Sequence, residues 1–371
     1  VSKKLSIADI ASRLNISKTT VSFILNGRAQ EKRISEKLVK QVTDYIAEVG
    51  YKPNALAQSL ATGKSNIIGL MVEDISNPFF ATIARLIEDR AYENGYKIVY
   101  CSTDNDTERA REQLKIFQDR HVDGYIIAPP PDIEADIEQL IKQGFPVVLF
   151  DRYLPKVNTD YVVVDNYYST YNATRKLIES GHKKIAFITF LSEQTQMQER
   201  RLGYETAIKE FKLKPNLKEI KFHRNEELIN EPLFSYLKKN RALDAVLFGT
   251  DHIGTCGLKM IKKLGLKIPD DLAVISFDDY SLFELYSVTA IGQPIVEIAD
   301  HIITLLLKKL NKTQSSSTQK MTLSTYLAER ESAPFTNVGI AKKQSKAAIH
   351  QKDNGSITTV STGKDNKGSE L

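Results

Sequence analysis

Cysteine is scarce in this chain: Cys101 and Cys256 are the only two in 371 residues, far apart and with no nearby pattern of metal ligands. Neither a disulfide framework nor a zinc site has support, and no metal or other cofactor is expected. Long apolar runs are missing as well. No stretch of about 18 apolar residues could span a bilayer, and the N-terminal VSKKLSIADI lacks the apolar centre of a secretory signal, so a cytoplasmic protein with no membrane partner is expected. Signatures of catalysis are equally thin, with no Ser-His-Asp arrangement, no metal-ligand cluster and no GxGxxG at a strand end. Gly63-Lys64-Ser65 imitates the end of a phosphate-binding P-loop, but Gln58 stands where that motif needs its first glycine. The neighbouring carboxylates Asp278 and Asp279 follow one strand and so point different ways. The chain is not expected to be an enzyme.

What is present is unevenly spread. Residues 1–65 hold eleven Lys and Arg against five Asp and Glu, a surplus of six, while the whole chain carries +5, so the remaining residues are nearly neutral. A small basic module on a larger neutral body suits nucleic-acid binding, although a solvated charged face would look the same. Three short helices are predicted in residues 1–50. Ser6 and Asp9 form a capping-box-like start ahead of Ile7, Ile10, Ala11 and Leu14 at helical spacing. After a turn at Asn15-Ile16, Ser17 caps a second helix that Gly27 stops; Ser35 opens a third, striped by Leu38, Val42, Tyr45, Ile46 and Val49 and ended by Gly50. This is a helix-turn-helix with a support helix.

The second helix has a distinctive outer face. At about 100° per residue, Ser22, Phe23 and Asn26 fall within about 60° of Thr19, while Val21, Ile24 and Leu25 lie opposite. An outward face of Lys18, Thr19, Ser22, Phe23 and Asn26 suits a major groove, where amides, hydroxyls and Lys18 can reach bases or phosphates and an aromatic can touch a thymine methyl. The alternative is that Phe23 folds back against the third helix as core.

Beyond this module, residues 51–65 contain Pro53 and a stretch, Asn54 to Ala61, long enough only for a short helix that needs a partner to order it. From Ile67 the pattern becomes βαβ: IIGLMV, KIVYCS, GYIIAP and PVVLFD, then KIAFIT, DAVLFGT and LAVISFDD, separated by amphipathic helices. Helices are expected from Phe79 to Asn94 and from Arg200 to Glu210, among others. Two doubly wound lobes are expected over residues 66–335, with ligands at the carboxyl ends of the strands. The first lobe takes about 66–164 plus 294–325 and the second about 165–293. Residues 336–371, rich in Lys, Ser, Thr, Gly and Asn, read as a disordered tail.

Across roughly residues 3–334 the chain resembles transcription regulators of the LacI family, through LSIADIASRLNISKTTVSFILNG, GYKPNALAQSLATGKSNIIGLMVEDISNPFF, VDGYIIAPP, VVLFDR, VVVDN, GHKKIAFI, RRLGY, FGTD, LGLKIPDDLAVISFDD and IGQPI in family order. The resemblance implies an all-α helix-turn-helix DNA-binding domain with a hinge helix, followed by an α/β two-lobed effector domain of the type I periplasmic-binding-protein kind. It implies a homodimer that reads a pseudo-palindromic operator in double-stranded DNA. It further implies a hinge leucine, here Leu60, wedged into the minor groove, where unstacking costs a few kcal/mol per step. The residues expected to meet DNA are Ser6, Ser17, Lys18, Thr19, Thr20, Ser22, Phe23, Asn26 and Leu60. The family pattern reads TVSRVLN, so Phe23 replaces an arginine and an altered operator preference is expected.

The same resemblance implies a small sugar or sugar derivative bound between the two lobes, controlling operator affinity allosterically. Asn77 matches a hydroxyl-binding amide, and Phe79 and Phe80 match aromatics flanking a sugar. Asp151 and Arg152 supply an acceptor and a forked donor at a strand end. Arg200, Asp278 and Gln293 match further polar positions. Thr250 stands where ribose-type pockets have asparagine. Taken singly, the phenylalanines read as core, Asp278 as a strand-end cap and Asp151-Arg152 as a salt bridge. A soluble sugar-binding protein without operator binding, or a sugar-processing enzyme, are the competing functions.

Overall fold

The computed structural model describes residues 5–51, 63–311 and 317–335. The expected hinge helix with Leu60 and the tail from residue 336 lie outside the described residues. Three helices open the chain: α1 (Ile7–Arg13), α2 (Lys18–Leu25) and α3 (Glu36–Glu48). The capping box at α1 is complete, with Ser6 accepting from the Asp9 backbone and the Asp9 carboxylate accepting from the Ser6 N–H. Ser17 accepts from Thr20 N at 2.9 Å, which satisfies one of the orphan donors of α2. Ser35 occupies the corresponding position of α3 but its side chain makes no capping bond. Ile10, Ala11, Val21 and Val42 are fully enclosed, with Leu14, Ile24, Leu25, Leu38 and Tyr45 packed around them. Phe23 lies outside that cluster.

From residue 63 onward two six-stranded sheets organise the chain. The first has the order β11-β5-β4-β3-β1-β2. It joins β1 (Ile67–Val72), β2 (Lys97–Ser102), β3 (Gly124–Ile127), β4 (Val147–Phe150) and β5 (Asp160–Val164) to β11 (Lys320–Leu323). Its strands pair in parallel, for example Ile68 with Ile98 and Val148 with Asp160. Side chains alternate by the period of two: Leu70, Ile126, Val148 and Val162 face one core, Met71, Tyr125, Leu149 and Tyr161 the other. On the first face pack α4 (Pro78–Glu93) and α12 (Ile295–Leu310), through Ile83, Ile87, Ile302 and Leu306. On the second pack α5 (Thr107–Asp119) and α6 (Glu134–Lys142), through Leu114, Phe117, Ile137 and Leu140. Burial on both faces explains why β1, β3 and β4 read as continuous apolar runs.

The second sheet has the order β12-β10-β9-β8-β6-β7. Its strands are β6 (Ile185–Phe190), β7 (Asn216–Ile220), β8 (Ala245–Phe248), β9 (Ala273–Phe277), β10 (Thr289–Gly292) and β12 (Tyr326–Ala328). The accompanying helices are α7 (Asn166–Glu179), α8 (Thr195–Glu210), α9 (Glu227–Lys239), α10 (Asp251–Lys263) and α11 (Ser281–Leu285). Ala173, Leu177, Tyr204 and Ile208 of α7 and α8 cover one face with Phe187, Leu247 and Ile275.

Internal packing divides the chain into two units, the first ending its opening run at Asp165 and including Ser192–Gln198 and Gln293–Tyr326. The second takes Asn166–Leu191, Glu199–Gly292 and the chain from Leu327. One segment departs from the expected division, and residues left outside both expected lobes are placed. Ser192–Gln198 belongs with the first unit, because Thr195 and Gln194 bond to Tyr153 and Asn105. Residues 327–335 belong with the second, where Ala333 is buried in the core. Helix α8 also begins at Thr195 rather than Arg200, since TQMQE carries no apolar stripe to announce it. Among the described residues, no helix is long and apolar enough to cross a membrane, and no group of His, Cys, Asp and Glu could hold a metal ion.

Two substitutions test this packing. A Cβ on Gly203 of α8 would lie 2.3 Å from the Tyr167 carbonyl oxygen and 3.0 Å from Tyr171 N in α7, backbone atoms with little room to yield. Gly203→Ala is therefore expected to cost about 1–3 kcal/mol, read as a lower urea midpoint for the second lobe. Ser17→Ala removes the cap of α2 and is expected to cost about 1 kcal/mol of helix-turn-helix stability, read by amide exchange in residues 18–25.

Candidate functional site

Helix α2 presents its polar side outward. Ser17, Lys18 and Thr19 are exposed, and Thr20, Ser22, Phe23 and Asn26 are half-buried. Several of these groups are already engaged locally: Thr20 Oγ1 shares a hydrogen bond with Ser17 Oγ at 2.8 Å, and Asn26 Nδ2 donates to Ser22 Oγ at 3.3 Å. Ser6 is exposed, with its hydroxyl donating to Asp9 in the capping box of α1. Phe23 does not fold back against α3. Its ring lies beneath the Arg28 guanidinium, 5.6 Å from the centroid, and the Lys32 ammonium, at 5.4 Å. The negative face of the ring attracts both cations. The Glu31 carboxyl is pulled down to about 2, chiefly by hydrogen bonds from Arg28 and Lys32, and stays ionised through the neutral range.

In the first sensor lobe the candidate residues gather at the carboxyl ends of strands. Asp151 follows β4 with a left-handed φ of +66°, a conformation that aspartate tolerates better than most residues. Arg152 beside it is only 2 % exposed, and its Nη1 donates to Glu73 Oε2 at 2.9 Å, just past the end of β1. Arg152 Nε and Nη2 find no hydrogen-bond partner among the described residues, although Nε is 3.6 Å from Asp151 Oδ2. Gln196 donates to Asp151 Oδ2 at 3.4 Å, while its own buried Oε1 accepts no hydrogen bond among the described residues. Asn77 caps α4, its Oδ1 accepting from Phe79 N at 2.9 Å. Phe79 and Phe80 are buried in the lobe core, edge to face with each other at 5.1 Å, and Phe80 likewise meets Phe150 at 6.1 Å. The aromatic pair is part of the packing first. Gln293, directly after β10 in the chain, is buried too.

The second lobe repeats the chemistry with different residues. Asp278 follows β9 with φ +68°, and Arg200, 3 % exposed, places Nη1 3.8 Å from its Oδ2. Arg200 Nε donates to Asn166 Oδ1 at 2.9 Å and Nη1 to the Gly249 carbonyl at 2.8 Å, with the guanidinium stacked 3.4 Å over Phe277. Thr250 is the N-cap of α10, its hydroxyl accepting from Ile253 N. Asp279 is held apart from this group by a two-pronged pair with Arg330, at 2.8 and 2.9 Å.

Each lobe therefore has a buried arginine, a left-handed aspartate at a strand end and a polar partner. Glu73, Asn166 and Gln196 belong to these groups, and reading the sequence did not single them out. Glu73 in MVED and Asn166 in VVVDN do follow strands, so the rule that ligand groups sit at carboxyl ends was available to find them. Gln196 sits in a polar helix start that gives no such cue. A carboxylate acceptor beside a forked donor can bond neighbouring hydroxyls of a small polyol.

Comparison with known proteins agrees with this anatomy. Residues 6–54 match the model of bacterial regulatory proteins of the lacI family, and residues 65–329 match that of periplasmic binding proteins and the sugar-binding domain of the LacI family. The ribose operon repressor of Halalkalibacterium halodurans is 31% identical, over 88% of this chain and 96% of that protein. Among solved structures, a LacI family transcriptional regulator from Enterococcus faecium with bound ribose is 26% identical, covering 73% of this chain and 99% of that one with a TM-score of 0.65. The lac repressor dimer bound to operator and an anti-inducer shares the fold at a TM-score of 0.77 and 20% identity, over 89% of this chain and 99% of that one. With its two sensor lobes and its capped helix-turn-helix, this chain belongs to the LacI family of bacterial regulatory proteins.

Proposed function

We propose that this protein is a homodimeric repressor whose affinity for a pseudo-palindromic operator is set by a small sugar, with Arg152 and Asp151 in the first lobe and Arg200 and Asp278 in the second as the candidate sugar-addressing groups of their own lobes. The observation that carries the reading is Arg152: a guanidinium held by Glu73 on one side, with two further nitrogens, Nε and Nη2, that make no hydrogen bond among the described residues, Nε lying 3.6 Å from Asp151 Oδ2. Unsatisfied buried donors of a charged group are costly, and vicinal hydroxyls are acceptors of the right size to relieve them. Gln196 supplies the same argument in neutral form. The ribose-bound relative supports a monosaccharide, and Thr250, a helix cap in the place of the asparagine of ribose-type pockets, supports a hydroxyl pattern of its own.

Sugar binding acts through a two-state body. A ligand can shift the equilibrium only by its differential affinity for the two states, and its effect on DNA binding must be returned by DNA on the ligand. Lys18, Thr19, Ser22 and Asn26 are the operator-facing residues of α2, supported by their place on its outer side, and Leu60 remains the hinge wedge by family resemblance. Regulation at the operator, rather than catalysis, accounts for the buried groups without requiring a nucleophile. An operator-binding protein works beside the chromosome, which supports a cytoplasmic location.

Calorimetric titration against a panel of monosaccharides and their phosphates identifies the effector. Arg152→Ala is expected to weaken binding of that sugar by about 10–100-fold, the range of a hydrogen bond to a charged group, while operator affinity without sugar stays within about twofold of wild type. Unchanged sugar affinity in this variant, with its melting temperature retained, would remove Arg152 from the site.

A further inference from the structure

The segment GRAQEKRIS, Gly27 to Ser35, follows α2 and carries Arg28, Lys32 and Arg33 against the single acid Glu31. Its path is fixed by the way α2 ends. Gly27 has φ +70°, Arg28 N donates to Phe23 O at 2.8 Å, and Gly27 N donates to Ile24 O at 3.1 Å. Those are the two bonds of a Schellman motif, which brings together the side chains of the third residue from the helix end and the second residue beyond the cap. Here these residues are Phe23 and Arg28. The usual apolar contact is replaced by a guanidinium over a ring, 5.6 Å from its centroid.

The next turn brings in a second cation. Lys32 N donates to Arg28 O at 3.1 Å and Ile34 N to Ala29 O at 2.9 Å, so the segment doubles back and sets Lys32 Nζ 5.4 Å from the same ring. Glu31 then locks the pair: its two oxygens accept from Arg28 Nε at 2.8 Å and Nη2 at 2.7 Å, and one of them lies 3.1 Å from Lys32 Nζ. Arg28 remains 50% exposed despite these contacts. Two long, flexible cations are thus kept side by side at the end of the groove-facing helix, where untethered lysine and arginine side chains would give up much rotamer freedom to reach the same positions.

We propose that Phe23 is a positioning residue, whose ring holds Arg28 and Lys32 together as a contact for the DNA phosphate backbone beside the groove that α2 enters. The proposal rests on the operator-binding reading of α2. On this account the aromatic acts through the cations it carries, and its replacement changes affinity for any duplex rather than the choice of base. Cations on phosphates add to binding without reading sequence, and each such interaction shows in the salt dependence.

The test uses the full-length protein and two duplexes, one recovered by the wild-type protein from a randomised pool and one of scrambled sequence, between about 50 and 200 mM salt. Phe23→Leu and Arg28→Ala are each expected to weaken both duplexes by a similar factor, about 3–30-fold, and to flatten the slope of log affinity against log salt by about 0.9 for each phosphate no longer neutralised. Phe23→Tyr, which keeps a π-face, is expected to restore the slope that Phe23→Leu flattens. An unchanged salt slope in Arg28→Ala overturns the proposal. So does a Phe23→Leu protein that keeps the slope but selects a different base from the pool, because the ring would then be reading the base itself. Should Phe23→Leu fail to fold, Arg28→Ala, on an exposed side chain outside the core, decides alone. Wild-type protein that binds neither duplex at the lowest salt overturns the operator-binding reading along with this one.

Discussion

A guanidinium enclosed by protein must be matched with partners, and each sensor lobe is built around one. Arg152 and Arg200 are each at most 3 % exposed. Removing the acid that pairs with such a guanidinium costs about 3–5 kcal/mol, because the buried cation left behind has no water to turn to. The lobes gather these partners at the carboxyl ends of their strands, where Glu73, Asp151, Asn166, the Gly249 carbonyl and Asp278 lie, and Arg152 Nε and Nη2 still make no hydrogen bond among the described residues. Parallel sheets covered on both faces leave polar groups only at strand ends, so the fold and the ligand chemistry follow from the same arrangement. Both aspartates take a left-handed backbone to turn toward their arginines, a local cost that the surrounding sheet sustains.

The helix-turn-helix is under a different constraint. Its enclosed core is Ile10, Ala11, Val21 and Val42, too small to fix three helices by burial alone, and it depends on its end chemistry. The capping box at Ser6 and Asp9, the cap at Ser17 and the Schellman end at Gly27 each settle backbone groups that would otherwise need water. With the apolar side of α2 committed inward, its other side is available to carry Lys18, Thr19, Ser22 and the cation-covered Phe23.

Much of this was legible in residue order. Continuous runs such as IIGLMV and AVLF announce strands covered on two faces, and the Ser and Gly boundaries announce the first helices. The lobe assignment of Ser192–Gln198 and of residues 327–335 was not legible, because it depends on which distant residues those segments bond. The start of α8 was hidden because the residues buried there include the polar Gln196 and Arg200, which leave no continuous apolar stripe to read. Asn77 and Thr250 read as ligand groups by family position, and the structure gives both a helix-capping task; a short polar residue before a helix serves either end. The outward direction of Phe23 followed from helical geometry, whereas its two cationic neighbours arrive only through a loop that doubles back.

If the strand-end arginines and α2 belong to one regulator, sugar and operator must be linked through the same protein. The direct measurement is a closed thermodynamic cycle: operator affinity with and without saturating sugar, and sugar affinity with and without saturating operator, at one salt concentration. Linkage predicts that both ratios depart from one and that they are equal. Ratios of one, with each ligand binding well on its own, would contradict it.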